Sequence, residues 1–234
     1  MVNSEKNKLW VMSLGGSRIA PKGKKVDYAF IDRFERLIEK YPDHKFVVVT
    51  GGGSTARKYI SALKELGKKT KTQSEAGISV TRFHASFLLR IFGKKANEVV
   101  PKNMKKVKNL LRGNQIVFCG GLKWEKNKTS DGTAADLAGF LKAVFINLTN
   151  IRGLYTDNPK TNKKAKFIKK ISWKKFYGMA AEIKFEAGQH FVLDQDAAGT
   201  IMKKKIPTYI VGSLDDVDKI ISGGRVFKGT MICG

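Results

Sequence analysis

Short apolar runs alternate along this chain with longer segments whose apolar residues recur at helical spacing. The apolar runs are LWVMSL (9–14), KFVVVT (45–50), QIVFC (115–119), VFINLT (144–149) and PTYIVG (207–212). Runs this short and this continuously apolar are typical of parallel strands that are covered on both faces. Their alternation with helices predicts an α/β fold, in which a parallel sheet lies between layers of helices.

The predicted helices lie between these runs. Apolar residues recur at helical spacing in 27–41, 55–66, 78–91 and 131–143. We predict that the third helix starts at Ser74 and that Asp131 is the N-cap of the fourth. Serine and aspartate favour these positions because their side chains accept hydrogen bonds from free backbone N–H groups.

Glycine directly follows three of the predicted strands. Gly15 and Gly16 follow the first strand, 51–53 is a run of three glycines after the second, and Gly120 and Gly121 follow the third. The carboxyl ends of parallel strands share one edge of the sheet, and ligands of open α/β sheets bind there. Glycine allows backbone N–H groups to approach a phosphate closely, although it is also common in ordinary strand–helix turns. Three such turns favour a site for several phosphates.

Several common kinds of site are absent from the sequence. There is no GxxxxGK[ST] motif of the Walker type, no GxGxxG opening the first helix, and no HRD or DFG set. Two distant cysteines and three scattered histidines have no metal-ligand spacing, so we predict no protein metal site and no disulfide. No apolar run is long enough to cross a membrane, and we expect a cytoplasmic protein.

The charge favours anionic partners. The chain has 45 Lys+Arg against 20 Asp+Glu, a formal net charge of +25. The basic residues are dispersed along the whole length, which indicates a solvated lysine-rich surface more than a nucleic-acid interface. We expect nucleotides or phosphorylated metabolites as partners, and no sequence-specific nucleic acid.

Several segments resemble the archaeal type of uridylate kinase, within the amino acid kinase family. They are SLGGSRIAP (13–21), VVVTGGGSTARKYI (47–60), GISVTRFHA (77–85), TSDGTAADLAGFLKA (129–143), INLTNIRGLYTDNPK (146–160) and GTMI (229–232). The resemblance implies a three-layer α/β sandwich with a central, mostly parallel sheet of about eight strands. It implies one domain over 1–234, with an acceptor lobe (1–150), a nucleotide lobe (151–234) and a soft boundary between them.

The resemblance also implies a reaction and its site. ATP and UMP would give ADP and UDP with Mg²⁺, a step of pyrimidine nucleotide biosynthesis, in an enzyme that is commonly hexameric. The ATP-binding residues would be Gly15, Gly16, Ser17, Gly53, Arg57, Thr149, Tyr155 and Asn158. The UMP-binding residues would be Gly52, Ser74, Lys123, Lys128, Thr129 and Ser130. Asp131 and Arg57 would be catalytic.

The side chains themselves support some of these roles and leave alternatives open. Arg57 lies one helical turn after Gly53, so it can reach back to a phosphate, or it can be a solvated side chain on a helix face. Asp131 can orient cations beside phosphates, or it can act only as a cap. Lys123, Lys126 and Lys128 can clamp a phosphate or simply hydrate their loop.

The chain differs from the family pattern mainly around the two nucleoside pockets. Ser54 stands where the family has lysine, Ser74 where it has a ribose-binding aspartate, and Arg152 and Asn158 where it has aspartates. The basic stretch LKWEKNK (122–128) replaces part of the acceptor loop, and DQDAAG (194–199) replaces DPLAAK. Two alternatives to a kinase therefore remain: a non-catalytic nucleotide- or oxyanion-binding or storage protein on the same fold, and a basic nucleic-acid-associated protein.

Overall fold

The computed structural model describes residues 8–126, 128–157, 159, 161–182 and 193–234. The strands are β1 (Leu9–Leu14), β2 (Lys45–Thr50), β3 (Ile116–Cys119), β4 (Val144–Leu148), β5 (Leu154–Tyr155), β6 (Phe167–Ile168), β7 (Lys170–Ile171), β8 (Thr208–Val211) and β9 (Gly229–Ile232). The helices are α1 (Gly16–Ile19), α2 (Tyr28–Glu39), α3 (Gly53–Glu65), α4 (Thr70–Phe92), α5 (Met104–Gly113), α6 (Ser130–Leu141), α7 (Trp173–Glu182), α8 (Gln195–Lys203) and α9 (Leu214–Ile221).

Within this part of the chain, seven strands form one mixed sheet in the order β3-β2-β1-β4-β8-β9-β7. Every neighbouring pair is parallel except β8 and β9, which are antiparallel. The two remaining strands, β5 and β6, form a separate antiparallel pair. The mostly parallel sheet predicted from the apolar runs is confirmed.

Helices cover both faces of this sheet. On β1, the side chains of Trp10, Met12 and Leu14 enter a core that also contains residues of α2, α4 and α9. Val11, on the opposite face of the same strand, enters a second core with residues of α5, α6, α7 and α8. Successive side chains of one strand therefore point into two different cores, one on each face of the sheet, and the molecule has three layers.

Two predicted helix starts are wrong. Helix α4 begins at Thr70, so Ser74 lies inside it; the segment before Gly77 contains no proline and continues the helix. The N-cap of α6 is Thr129, whose hydroxyl accepts hydrogen bonds from the backbone N–H groups of Asp131 and Gly132. Asp131 itself lies in the first turn of that helix, where a carboxylate is favoured by the helix dipole.

The membrane prediction and the cysteine prediction can also be checked on the described residues. No helix there has the length and apolar character needed to span a membrane. Cys119 and Cys233 are both free and buried.

Candidate active site

The three glycine turns lie on one edge of the sheet, as predicted. The parallel register pairs Leu14 with Thr50 and with Leu148, and it pairs Val49 with Cys119. The strands β1, β2, β3 and β4 therefore end side by side, and the turns that follow them share this carboxyl edge.

The first two turns are in direct backbone contact. A Cβ atom on Gly16 would lie 2.4 Å from the carbonyl oxygen of Gly51 and 2.6 Å from the nitrogen of Gly53. Gly53 has a φ of +58°, and a Cβ there would lie 2.8 Å from the nitrogen of Ser17. Glycine is thus required for the approach of one turn to the other, and not only for the approach of a phosphate.

Helix α4 fixes the second and third turns, through residues that the sequence analysis did not select. The ring of His84, which is buried, contacts the carbonyl oxygen of Gly51 at 2.8 Å through Nδ1. The Thr81 hydroxyl accepts a hydrogen bond from the N–H of Gly121 at 2.8 Å. Arg82 donates to the carbonyl oxygens of Gly121 and Leu122, at 2.9 and 2.5 Å. These contacts hold the described part of the β3–α6 loop (residues 120–126, 128 and 129) against α4.

Asp131 points back to the end of β1. Its carboxylate accepts a hydrogen bond from the hydroxyl of Ser13. Burial raises the pKa of the Asp131 carboxyl to about 7; the bond from Ser13 opposes this rise, and the negative charge of Asp194 adds to it. A carboxyl group that titrates near neutrality beside phosphate-binding turns is a candidate for function.

The N-termini of α6 and α8 are joined by side chains. Thr129 donates its hydroxyl to Asp194, and Asp194 in turn caps α8 by accepting from the N–H of Ala197 at 2.8 Å. Thr129 and Asp131 were selected from the sequence, whereas Ser13 was not, because a serine inside an apolar strand has no distinctive pattern.

Lys128 contacts three carboxylates. Its ammonium group lies against Asp136, 2.9 Å from Glu125 and 3.5 Å from Asp196. Burial acts to lower the pKa of Lys128, but hydrogen bonds to Asp136 and Glu125 outweigh it and raise the pKa above its usual value. Lys123 is more exposed and pairs with Glu125 at 2.9 Å.

The other residues predicted on the acceptor side lie at the starts of α3 and α6 and on α4. Gly52 is the N-cap of α3, and a Cβ on it would lie 3.6 Å from the carbonyl oxygen of Gly77 on α4. Ser74 precedes Gly77 by three residues, which puts both on the same side of α4. The hydroxyl of Ser130 lies 3.4 Å from the position of a Cβ on Gly51.

Arg57, predicted to bind the donor, is one turn into α3 and exposed. Thr149 directly follows β4 at the same edge of the sheet, and Tyr155 is the last residue of β5. The N–H of Thr149 donates to Val211 at 3.0 Å, and its carbonyl oxygen accepts from Arg18. Tyr155 packs edge-on against Phe167 at 5.4 Å between ring centroids.

An open cavity of about 430 Å³ lies next to these residues, lined in part by Asn150, Arg152 and Gly212. The guanidinium of Arg152 lies 4.7 Å from the centre of the Phe167 ring. Asn158, also predicted to bind ATP, lies outside the described residues.

The described residues contain no group of three or more His, Cys, Asp or Glu side chains arranged to hold a metal ion. A metal at this edge would therefore need most of its ligands from another molecule, and Asp131, bound to Ser13 near the end of β1, is a carboxylate on this side of the sheet. Mg²⁺ on nucleotide phosphates is usually held in this way, with one or two protein carboxylates.

Comparisons with known proteins agree with the motifs. A model of the amino acid kinase family matches residues 8–212. The uridylate kinase of Thermococcus kodakarensis is 34% identical over 206 residues, which cover 88% of this chain and 90% of that protein. The uridylate kinase of Archaeoglobus fulgidus is 34% identical over 225 residues, which cover 95% of this chain and 98% of that protein.

The fold agrees as well. The crystal structure of uridylate kinase from Archaeoglobus fulgidus matches with a TM-score of 0.81 at 32% identity, over 96% of this chain and 99% of that one. The crystal structure of UMP kinase from Ureaplasma parvum is only 18% identical but has the same fold, with a TM-score of 0.78 over 98% of this chain and all of that one (100%). The three-layer sandwich expected from the motifs is confirmed, and the chain belongs to the amino acid kinase family.

Proposed function

We propose that this protein is a uridylate kinase, which transfers a phosphoryl group from ATP to UMP and gives ADP and UDP in pyrimidine nucleotide biosynthesis. The observation that carries the proposal is the backbone contact between the turn at Gly16 and the turn at Gly51–Gly53. It brings the backbone of two strand–helix junctions side by side, so that N–H groups at the starts of α1 and α3 can face a donor phosphate and an acceptor phosphate. The relatives named above are uridylate kinases at about one-third identity over most of the chain.

The two substrates would lie on opposite sides of this contact. We assign the ATP phosphates to Gly15, Gly16, Ser17, Gly53 and Arg57, and the adenosine to Thr149, Tyr155 and Asn158. We assign UMP to Gly52, Ser74, Thr129, Ser130 and the β3–α6 loop that carries Lys123. The acceptor would thus use mainly residues 1–150, and the nucleoside of the donor mainly residues 151–234.

Phosphoryl transfer depends on position and charge more than on covalent help from the protein. Backbone N–H groups and Arg57 would bind the phosphate oxygens, and Asp131 would orient the cations that balance their charge. The donor set fits Mg²⁺ that arrives on the nucleotide, with Asp131 as a protein contact; such an ion stabilises charge on the transferring group. We extend the proposal to a hexamer in the cytoplasm by similarity to the family.

A coupled assay of ADP release tests the proposal. We expect transfer to UMP in the presence of ATP and Mg²⁺, and much weaker transfer to CMP, AMP, GMP and isopentenyl phosphate. Binding of ATP without transfer to any of these acceptors would contradict the kinase assignment and favour a binding or storage protein. Tight binding to nucleic acid that persists at high salt would favour the third alternative.

Arg57→Ala gives a residue-level test on the donor side. Because the guanidinium would contact phosphate in both the ground state and the transition state, its loss should raise the KM for ATP and lower kcat together. We expect kcat/KM for ATP to fall about 100-fold, on the order of two charge-assisted hydrogen bonds. Arg57 is exposed, so the melting temperature should not change. Steady-state kinetics with varied ATP measure this, and Lys58→Ala, the exposed neighbour, is the control.

A further inference from the structure

The ammonium group of Lys128 lies where three parts of the molecule meet. It contacts Glu125 of its own β3–α6 loop, Asp136 of α6 and Asp196 of α8. The side chain of Lys128 is 15% exposed and that of Asp136 is 18% exposed. Opposite charges that are this little exposed to water attract each other more strongly than ion pairs on the surface do.

These contacts set the ammonium group of the lysine against three carboxylates. It donates a hydrogen bond to Asp136, lies 2.9 Å from Glu125 and is 3.5 Å from Asp196. The partners are themselves held in place: the second oxygen of Asp136 accepts from the Thr200 hydroxyl of α8 at 3.0 Å. A substrate phosphate at Lys128 would therefore meet the negative charge of these carboxylates.

Gly132 makes room for this arrangement. A Cβ atom at Gly132, in the first turn of α6, would lie 2.4 Å from the carboxylate oxygen Oδ2 of Asp196. A side chain at that position of α6 would have to displace the Asp196 carboxylate from its present place beside Lys128.

We infer that Lys128 is a positioning residue, which fastens the β3–α6 loop to α6 and α8 through Glu125, Asp136 and Asp196, and that it does not bind the acceptor phosphate. The inference rests on the proposed function for the identity of the acceptor. The loop is fixed at its start by Arg82 and at its end by the Thr129 cap, and Lys128 with Glu125 fixes the part between them. The acceptor side is thereby coupled to α8.

Kinetics of a double-mutant cycle distinguish this positioning role from two alternatives, in which Lys128 binds the acceptor phosphate or only balances charge. We expect Lys128→Met to raise the KM for UMP about tenfold or more and the KM for ATP less than about threefold, because a partly buried bridge is lost on the acceptor side. Asp136→Asn should raise the KM for UMP in the same direction, and the double variant should be no worse than Lys128→Met.

The other two roles predict different cycles. If Lys128 bound the acceptor phosphate, Asp136→Asn would leave the KM for UMP unchanged or lower it, and this result would overturn the inference. If Lys128 acted only by balancing charge, the double variant would recover the wild-type KM, which would overturn it as well. Should Lys128→Met not fold, Asp136→Asn and Glu125→Gln carry the same test, since both must raise the KM for UMP.

A second readout needs no enzymatic activity. Trp124 lies in the β3–α6 loop, is 37% exposed and has the ammonium of Lys71 5.6 Å from its ring centre. Release of the loop should make Trp124 more accessible, so Lys128→Met should shift its emission to the red and increase quenching by acrylamide. Trp10→Phe and Trp173→Phe in the background isolate this signal, and Lys105→Met on α5, which is exposed, controls for the loss of one charge.

The two readouts distinguish failure of the inference from failure of the proposed function. If no acceptor is phosphorylated but quenching of Trp124 rises in Lys128→Met and Asp136→Asn, the structural role stands and only the substrate assignment is lost. If quenching equals that of the wild type in both variants, Lys128 does not fasten the loop and the inference is wrong, whatever the activity.

Discussion

Gly16→Ala is expected to abolish most of the phosphoryl transfer, with kcat/KM at least about 100-fold below the wild type, because a misplacement of about 1 Å in a site costs this much. The added Cβ would lie 2.4 Å from the Gly51 oxygen and 2.6 Å from the Gly53 nitrogen, both of them backbone atoms that cannot rotate away. The Gly51 turn is also held in place. Its N–H donates to Leu14 at 2.8 Å and its oxygen contacts His84 at 2.8 Å.

Relief of this clash requires the two turns to separate, which also strains the packing beneath them. We expect Gly16→Ala to lower the free energy of unfolding by about 2 kcal/mol, as in other overpacked sites. Gly178→Ala is a matched control: it makes the same chemical change inside α7, where an added Cβ meets nothing within 4 Å. That variant should keep full activity. Its free energy of unfolding should increase by about 0.5–1 kcal/mol, because alanine has a higher helix propensity than glycine.

Thermal unfolding and steady-state kinetics on both variants check this prediction. Wild-type activity and stability in Gly16→Ala would mean that the two turns are farther apart in solution, and the observation that carries the proposed function would be lost. Loss of stability without loss of activity would keep the contact but remove its role in phosphate binding.

Local patterns predicted the parts of the fold that depend on local sequence. The apolar runs 9–14 and 45–50 are β1 and β2 without change, and the other three differ from β3, β4 and β8 by one residue at one or both ends. Burial on both faces makes such strands continuously apolar, so the signal is strong. Strands of two residues, such as β5, have too few side chains to show any period.

The polar contacts of the candidate site could not be predicted in this way, because their partners are far apart in sequence. Ser13 and Asp131 are 118 residues apart, and Thr129 and Asp194 are 65 residues apart. Nothing in the pattern of 122–128 indicates that Lys128 faces three carboxylates. The same basic stretch is equally typical of a loop that binds a phosphate. The glycine turns were predicted to share an edge, but their contact with each other needed the structure.

The distribution of charge adds a constraint on the reaction. The chain carries a formal net charge of +25, yet five carboxylates lie in the β3–α6 loop, the first two turns of α6 and the start of α8, and Lys128 contacts three of them. The five are Glu125, Asp131, Asp136, Asp194 and Asp196. Phosphates that approach this cluster need a cation between them and the carboxylates, since unscreened like charges at short distance repel strongly. A nucleotide that brings its own Mg²⁺ meets this need.

Asp131→Asn is expected to lower kcat about 100-fold, in the range found when one electrostatic group of a transition state is removed, with both KM values within about threefold of the wild type. Asparagine keeps the shape and the oxygen that accepts from Ser13, but it loses the charge that would orient cations. In the free enzyme the pKa of Asp131 is raised to about 7. The kcat/KM of the wild type should therefore increase with pH through this value, and that of Asp131→Asn should not.

The same substitution should make the protein more stable at high pH. Because burial raises the folded-state pKa of Asp131 above its unfolded value, this group favours folding at pH values below about 4, and the contribution is lost as the pH rises through about 7. Asparagine is uncharged and carries no such cost. We therefore expect Asp131→Asn to raise the free energy of unfolding by about 2 kcal/mol at pH 8, and we expect this difference to disappear near pH 4. Thermal unfolding of the ligand-free protein at the two pH values measures it, and Asp215→Asn, an exposed carboxylate on α9, is the control.

A variant that turns over at the wild-type rate and melts with the wild-type pH dependence would show that Asp131 is ionised at no cost and serves neither role. A variant that is slower but more stable above pH 7 would show that this partly buried carboxylate is kept for catalysis against its cost in stability.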